Sequence, residues 1–198
     1  LLKKRVTALA YEFIEDKVGG MPIVRAMSEI AGSTVMLIAA EYLSTVNKGK
    51  GIILGGITGV PPTKVVIIGA GTVAEYAARA ALSLGAEIQV FDNHLYKLRR
   101  IKHTLGNQFY TSTIDTITLS ECLKNADVVI GALRAEKGKA RHVVSEEMVK
   151  NMRPDSLIID LSIDQGGCIA TSETTSLNRP VFRKYDIIHY CVPNVASR

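Results

Sequence analysis

Cysteine is scarce in this 198-residue chain. Its three residues, Cys122, Cys168 and Cys191, are dispersed and form no Cys-x-x-Cys pair. That argues against disulfides and a zinc site, and suggests a reducing, cytoplasmic setting. The four histidines, His94, His103, His142 and His189, show no i, i+4 pairing, so no metal constellation is expected. No run of about 18 uninterrupted apolar residues occurs, so no membrane span is expected. The opening Leu1-Leu2-Lys3-Lys4-Arg5 lacks an initiator Met and the long apolar core of a secretory signal. Aromatics make up 6% and are not interleaved with the basic runs at Lys97–Lys102 and Arg134–Arg141. A net charge of +5 therefore reads as a solvated helix face and a charged loop, with no nucleic-acid partner. Internal repeats and low-complexity segments are also absent.

What is present is an ordinary globular composition, 47% hydrophobic and 22% charged. Val6–Ala10 could form an isolated strand. Pro22 suits the first turn of a helix, and Ile23–Val46 follows a helical stripe with Gly32 as a possible kink. Residues 47–62 are too glycine-rich for regular structure. The rhythm then changes to strands at Lys64–Gly69, Glu87–Asp92, Gln108–Thr111, Asp127–Ile130, Leu157–Asp160 and Asp186–Tyr190. Helices are expected at Thr72–Leu84, His94–Thr104, Leu119–Asn125 and Ser145–Asn151, the last capped by Ser145. Alternation at this spacing predicts an α/β fold, a doubly wound parallel sheet with helices on both faces.

The stretch Val65–Asp92 carries the chemistry. About one Gly-x-Gly is expected by chance, so Gly69 and Gly71 matter through context. They follow an apolar strand and precede a helix. Gly69 lets the chain turn, and Gly71 lets backbone amides approach a pyrophosphate. Ala74 is small enough for the helix to lie against the strand. Thr72 and Val73 open that helix, whose N-terminal end favours phosphate. Asp92 ends the second strand, 23 positions after Gly69. There a carboxylate can accept from both ribose hydroxyls of the adenosine and repel a 2′-phosphate, which favours NAD over NADP. The plain alternative is a tight turn with Asp92 capping the next helix.

A second acidic stretch, Ile158–Gly167, ends a strand at Asp160, which reads as structural. In a doubly wound sheet, Leu161–Gly167 should line the ligand crevice. Asp164 could meet a nicotinamide ribose or the reacting centre, or be a turn residue before two glycines. Asn194, in "CVPN" after the last strand, could hold a carboxamide or belong to a turn. Cys191 has no neighbouring base and reads as buried.

Several stretches together resemble alanine dehydrogenase and, more distantly, the NAD-binding subunit of proton-translocating transhydrogenase. They are "AYEFI", "MSEIAG", "GIILGGITGVPPTKVVIIGAGTVA", "VFD", "ADVVIGAL", "MVKNMRPDSLIIDLSIDQGG" and "YCVPN". The pair "MSEIAG" and "IDQGG" favours the dehydrogenase. The resemblance implies oxidation of L-alanine to pyruvate and ammonia, with hydride passed to NAD, by an assembly of two or six copies. It implies a Rossmann domain over residues 51–198, a connecting helix over 21–50 and a remnant of a catalytic domain over 1–20. It also implies a cofactor role for Ser28, Asp92 and Lys97, an active-site role for Asp164, and closure of the nicotinamide pocket by Asn194 and Val195. Val195 replaces a common Met, and Ala196 stands where Pro often follows. Family members run beyond 300 residues and carry a catalytic lysine and histidine upstream of the part matched here. The chain is therefore expected to bind NAD without turnover. The competing readings are a transhydrogenase domain and a non-catalytic NAD/NADH sensor.

Overall fold

A computed structural model describes residues 2–106, 108–134 and 142–198. The basic run read at Arg134–Arg141 lies outside these residues except for Arg134. Continuous β-branched runs build the sheet centre. β1 (Lys64–Ile68), β4 (Val128–Gly131) and β5 (Leu157–Asp160) bury every residue but Lys64, as strands covered on both faces must. They join β2 (Glu87–Phe91), β3 (Tyr110–Ser112), β6 (Val181–Lys184) and β7 (Ile187–Tyr190) in the order β3-β2-β1-β4-β5-β7-β6.

The order reverses between β1 and β4, which pair with Ile68 beside Gly131. A crevice opens at the carboxyl ends of strands that diverge in this way. The all-parallel expectation needs one correction. β6 runs antiparallel to β7, joined by a tight turn in which Tyr185 and Asp186 both take positive φ. Two residues are too few for a crossover, so the strand must return as a hairpin.

Strand side chains alternate between two cores. Val65, Ile67, Ile130 and Ile159 face α1 (Pro22–Leu43), α2 (Thr72–Ser83) and α3 (Leu95–Leu105). Val66, Ile68, Val129 and Ile158 face α4 (Thr116–Asn125) and α5 (Glu146–Lys150). Ser145 caps α5 by accepting from the Met148 amide, as its sequence position predicts. Val6–Ala10 is exposed and forms no strand.

Helix α1 does not break at Gly32. Its glycine is instead a point of contact: a Cβ there would lie 2.4 Å from the Val73 carbonyl oxygen and 2.7 Å from Tyr76 Cβ. By length and composition α1 could cross a bilayer, although no uninterrupted apolar run signals this. Its second half, including Val35, Met36, Ile38 and Leu43, is buried in the core. Beyond its end, Lys50 Nζ meets Asp127 at 2.9 Å and Ser156 Oγ at 3.1 Å. This pins the segment after α1 to residues that lead into β4 and β5.

Candidate functional site

Gly69 follows β1 with φ +113°, and a Cβ there would come within 2.4 Å of the Ala132 carbonyl oxygen after β4. Only glycine fits both the backbone angle and the space. Gly71 differs: its φ is −79°, and a Cβ would meet nothing within 4 Å. It is the N-cap of α2, and among the described residues no side chain caps that end. The first amides of α2 and their partial positive charge therefore face open space, an anion-binding arrangement.

Asp92 closes the other side of this turn. It is buried, with Oδ2 accepting from the Ala70 amide at 2.8 Å and Oδ1 from the His94 amide at 2.8 Å. The His94 ring Nδ1 lies 3.0 Å from the same Oδ1. A carboxylate has about four acceptor positions, so the chain's own donors use three. About one acceptor position is left over, fewer than the two ribose hydroxyls anticipated from sequence, and Asp92 lines neither of the hollows described next. His94 and its ring contact were not legible because they depend on how α3 begins. Lys97 lies on α3 with Nζ 5.9 Å from the Tyr96 ring centre, outside the hollows described next.

Two hollows adjoin the turn under the first half of α1. The larger, about 560 Å³, is lined by Ser28, Val73, Leu161, Asp164, Asn194 and Val195. Residues far apart in sequence thus meet here. Asp164 and Asn194 are tied directly: the Asn194 amide donates to Asp164 Oδ2 at 3.3 Å, with Asn194 in the left-handed region. Tyr11, Glu12 and Met27 also line it, and no sequence spacing signals that. The second hollow, about 370 Å³, touches Ser28 and Thr72 and is lined by Arg25, Arg100 and Arg134. Ser28 itself donates to the Val24 carbonyl at 2.8 Å.

Asp160 has the structural role read from sequence. It is buried and accepts from the amides of Ser162, Cys168 and Ile169 and from the Ser172 hydroxyl. It thereby fixes the loop that carries Asp164. Burial pushes its carboxyl above the usual range, while these donors oppose the shift. Burial also pushes the Cys191 thiol up to about 11, so it is no thiolate nucleophile at neutral pH.

A glycine turn with open space, an uncapped helix end, a buried carboxylate beside it and an adjoining hollow fit a dinucleotide. The family model for the alanine dehydrogenase/PNT C-terminal domain matches residues 35–198. This chain belongs to that family. It is 38% identical to alanine dehydrogenase of Mycolicibacterium smegmatis over 195 residues, which cover 98% of this chain and 53% of that protein. With alanine dehydrogenase of Mycobacterium tuberculosis (strain ATCC 25618 / H37Rv) it shares 37% over 197 residues, 100% of this chain and 53% of the other. A solved L-alanine dehydrogenase superposes with a TM-score of 0.90 at 33% identity, over 96% of this chain and 55% of that one. A transhydrogenase from Sinorhizobium meliloti superposes with a TM-score of 0.75 at 23% identity, over 89% and 49%; that likeness concerns the fold alone. The chain spans about half the length of the curated relatives it matches. Both hollows lie between the matched alanine dehydrogenase/PNT domain and residues of the segment that precedes it, among them Val24 and Ser28.

Proposed function

We propose that this chain is the NAD-binding part of an alanine dehydrogenase. The overall reaction is L-alanine, NAD+ and water to pyruvate, ammonium, NADH and one proton. The division into a remnant of a catalytic domain (1–20), a connecting helix (21–50) and a dinucleotide domain (51–198), a cytoplasmic setting and assembly into a dimer or hexamer belong to the same reading. The nicotinamide, when bound, supplies a two-electron acceptor. The residues of this chain bind and orient. The turn at Gly69, Gly71, Thr72 and Val73 receives the diphosphate, and Asp92 accepts a hydroxyl of the adenosine ribose, with Lys97 nearby. Ser28, Leu161, Asn194 and Val195 enclose the nicotinamide end. Asp164 stands at that end as the catalytic candidate, its carboxylate held by the Asn194 amide.

The observation that carries the reading is the 2.8 Å bond from the Ala70 amide to Asp92. It sets a buried negative charge beside an open, uncapped helix end. A 2′-phosphate brought there meets like charge. Fluorescence titration of the chain with NADH and NADPH tests this. NADH is expected to bind at least roughly tenfold tighter, a difference of about 1.4 kcal/mol. Equal affinity for the two, or no binding of either, overturns the reading. With alanine and NAD supplied, the chain is expected to bind without turnover.

A further inference from the structure

The smaller hollow carries more charge than a glycine turn requires. Arg25 comes from α1, Arg100 from α3 and Arg134 from the segment after β4, yet all three line the same space. Among the described residues, the only acidic one lining it is Glu75. It stands 3.6 Å from Arg100, whose Nη2 also donates to the Ala70 carbonyl at 3.0 Å. That guanidinium is thereby held against the turn after β1. Arg25 is steadied from behind by Glu29 at 3.2 Å, and Arg134 rests near Met21. With Glu29 counted beside Arg25, three cations stand against two carboxylates, which leaves the hollow with a net positive charge. Thr72 places it at the uncapped end of α2.

We infer that Arg25, Arg100 and Arg134 anchor the bridging diphosphate of a dinucleotide and set a preference for dinucleotides over uncharged nucleosides. This rests on the dinucleotide reading above and adds the residues that select for phosphate charge. Guanidinium–phosphate bonds are among the stronger polar contacts, whereas an adenine or nicotinamide ring gains little from the same charges. The site's positive charge also makes binding salt-sensitive, since partly exposed charges are screened.

The test compares the wild-type chain with an R25Q/R134Q double variant and with R25K/R134K. NADH is titrated by fluorescence at low and at physiological salt, and ADP-ribose and adenosine compete for the site. Both arginines are at the surface, so the melting temperature serves as a check that the fold is unchanged. The Gln variant is expected to lose roughly tenfold or more in affinity for NADH and ADP-ribose. Its salt dependence should flatten, adenosine should compete as before, and the Lys variant should recover part of the loss. If wild type binds NADH and the Gln variant binds it equally, with the same salt response, the inference falls and the dinucleotide reading stands. A loss shared equally by adenosine overturns the inference too. A wild-type chain that binds no NADH overturns both.

Discussion

Two glycines two residues apart have different tasks. At Gly69, φ of +113° and an Ala132 carbonyl 2.4 Å from an added Cβ make any side chain costly. Gly69→Ala is expected to lower stability by about 1–3 kcal/mol, seen as a fall in melting temperature. At Gly71 neither constraint operates. Gly71→Ala should melt like wild type yet bind NADH at least roughly tenfold more weakly, because the methyl fills space meant for phosphate. A matched loss of melting temperature in both variants would remove the distinction. The turn and Asp92 were readable because strand, turn, helix and acid follow one another along the chain, so local order fixes their geometry. Arg25, Arg100 and Arg134 were not, because they converge only after α1, α3 and the segment beyond β4 have packed. His94 was hidden for a similar reason. Its contact with Asp92 depends on a ring orientation at the mouth of α3.

Helix α1 and helix α2 touch where side chains are smallest. Single-sequence propensity marks Gly32 as a weak point in a helix; packing makes it a contact in an unbroken one. Gly32→Ala is expected to push the helices apart and cost about 1–3 kcal/mol, measured by thermal or urea unfolding. An unchanged midpoint would show that α1 shifts freely on α2. Hydrophobic period located α1 to within a few residues at each end, since an apolar stripe at every third or fourth position suits a helix and does not suit a strand. The same logic failed for β6. Its charged Arg183 and Lys184 suit an exposed edge, but they hide the strand pattern, and the turn Tyr185–Asp186 lacks the Gly that usually signals a hairpin.

The whole molecule should respond to acid through His189, which lies fully buried in β7. Nδ1 faces the Ile187 carbonyl at 3.1 Å and so carries the proton, while Nε2 accepts from Thr171 at 2.8 Å. The ring stacks on Phe182 at 4.8 Å. Burial lowers its pKa from 6.5 to about 4. Between those values the unfolded chain holds a proton that the folded chain refuses. This contribution to stability is therefore complete above about pH 6.5 and is lost as pH falls toward about 4, up to about 3 kcal/mol in all. Urea unfolding at pH 7 and pH 4.5 should reveal it as a difference between wild type and H189Q. Equal pH dependence in the two would exclude the histidine as the source. At this same scale, α1 is held toward its far end, by the Gly32 crossing and by the tether from Lys50 to Asp127 beyond it. The turns ahead of Gly32 overhang both hollows like a cantilever. A guest in either room would thus rest against the same stretch of helix, in which Val24 and Ser28 line both, so one substitution there alters the fit in the two together.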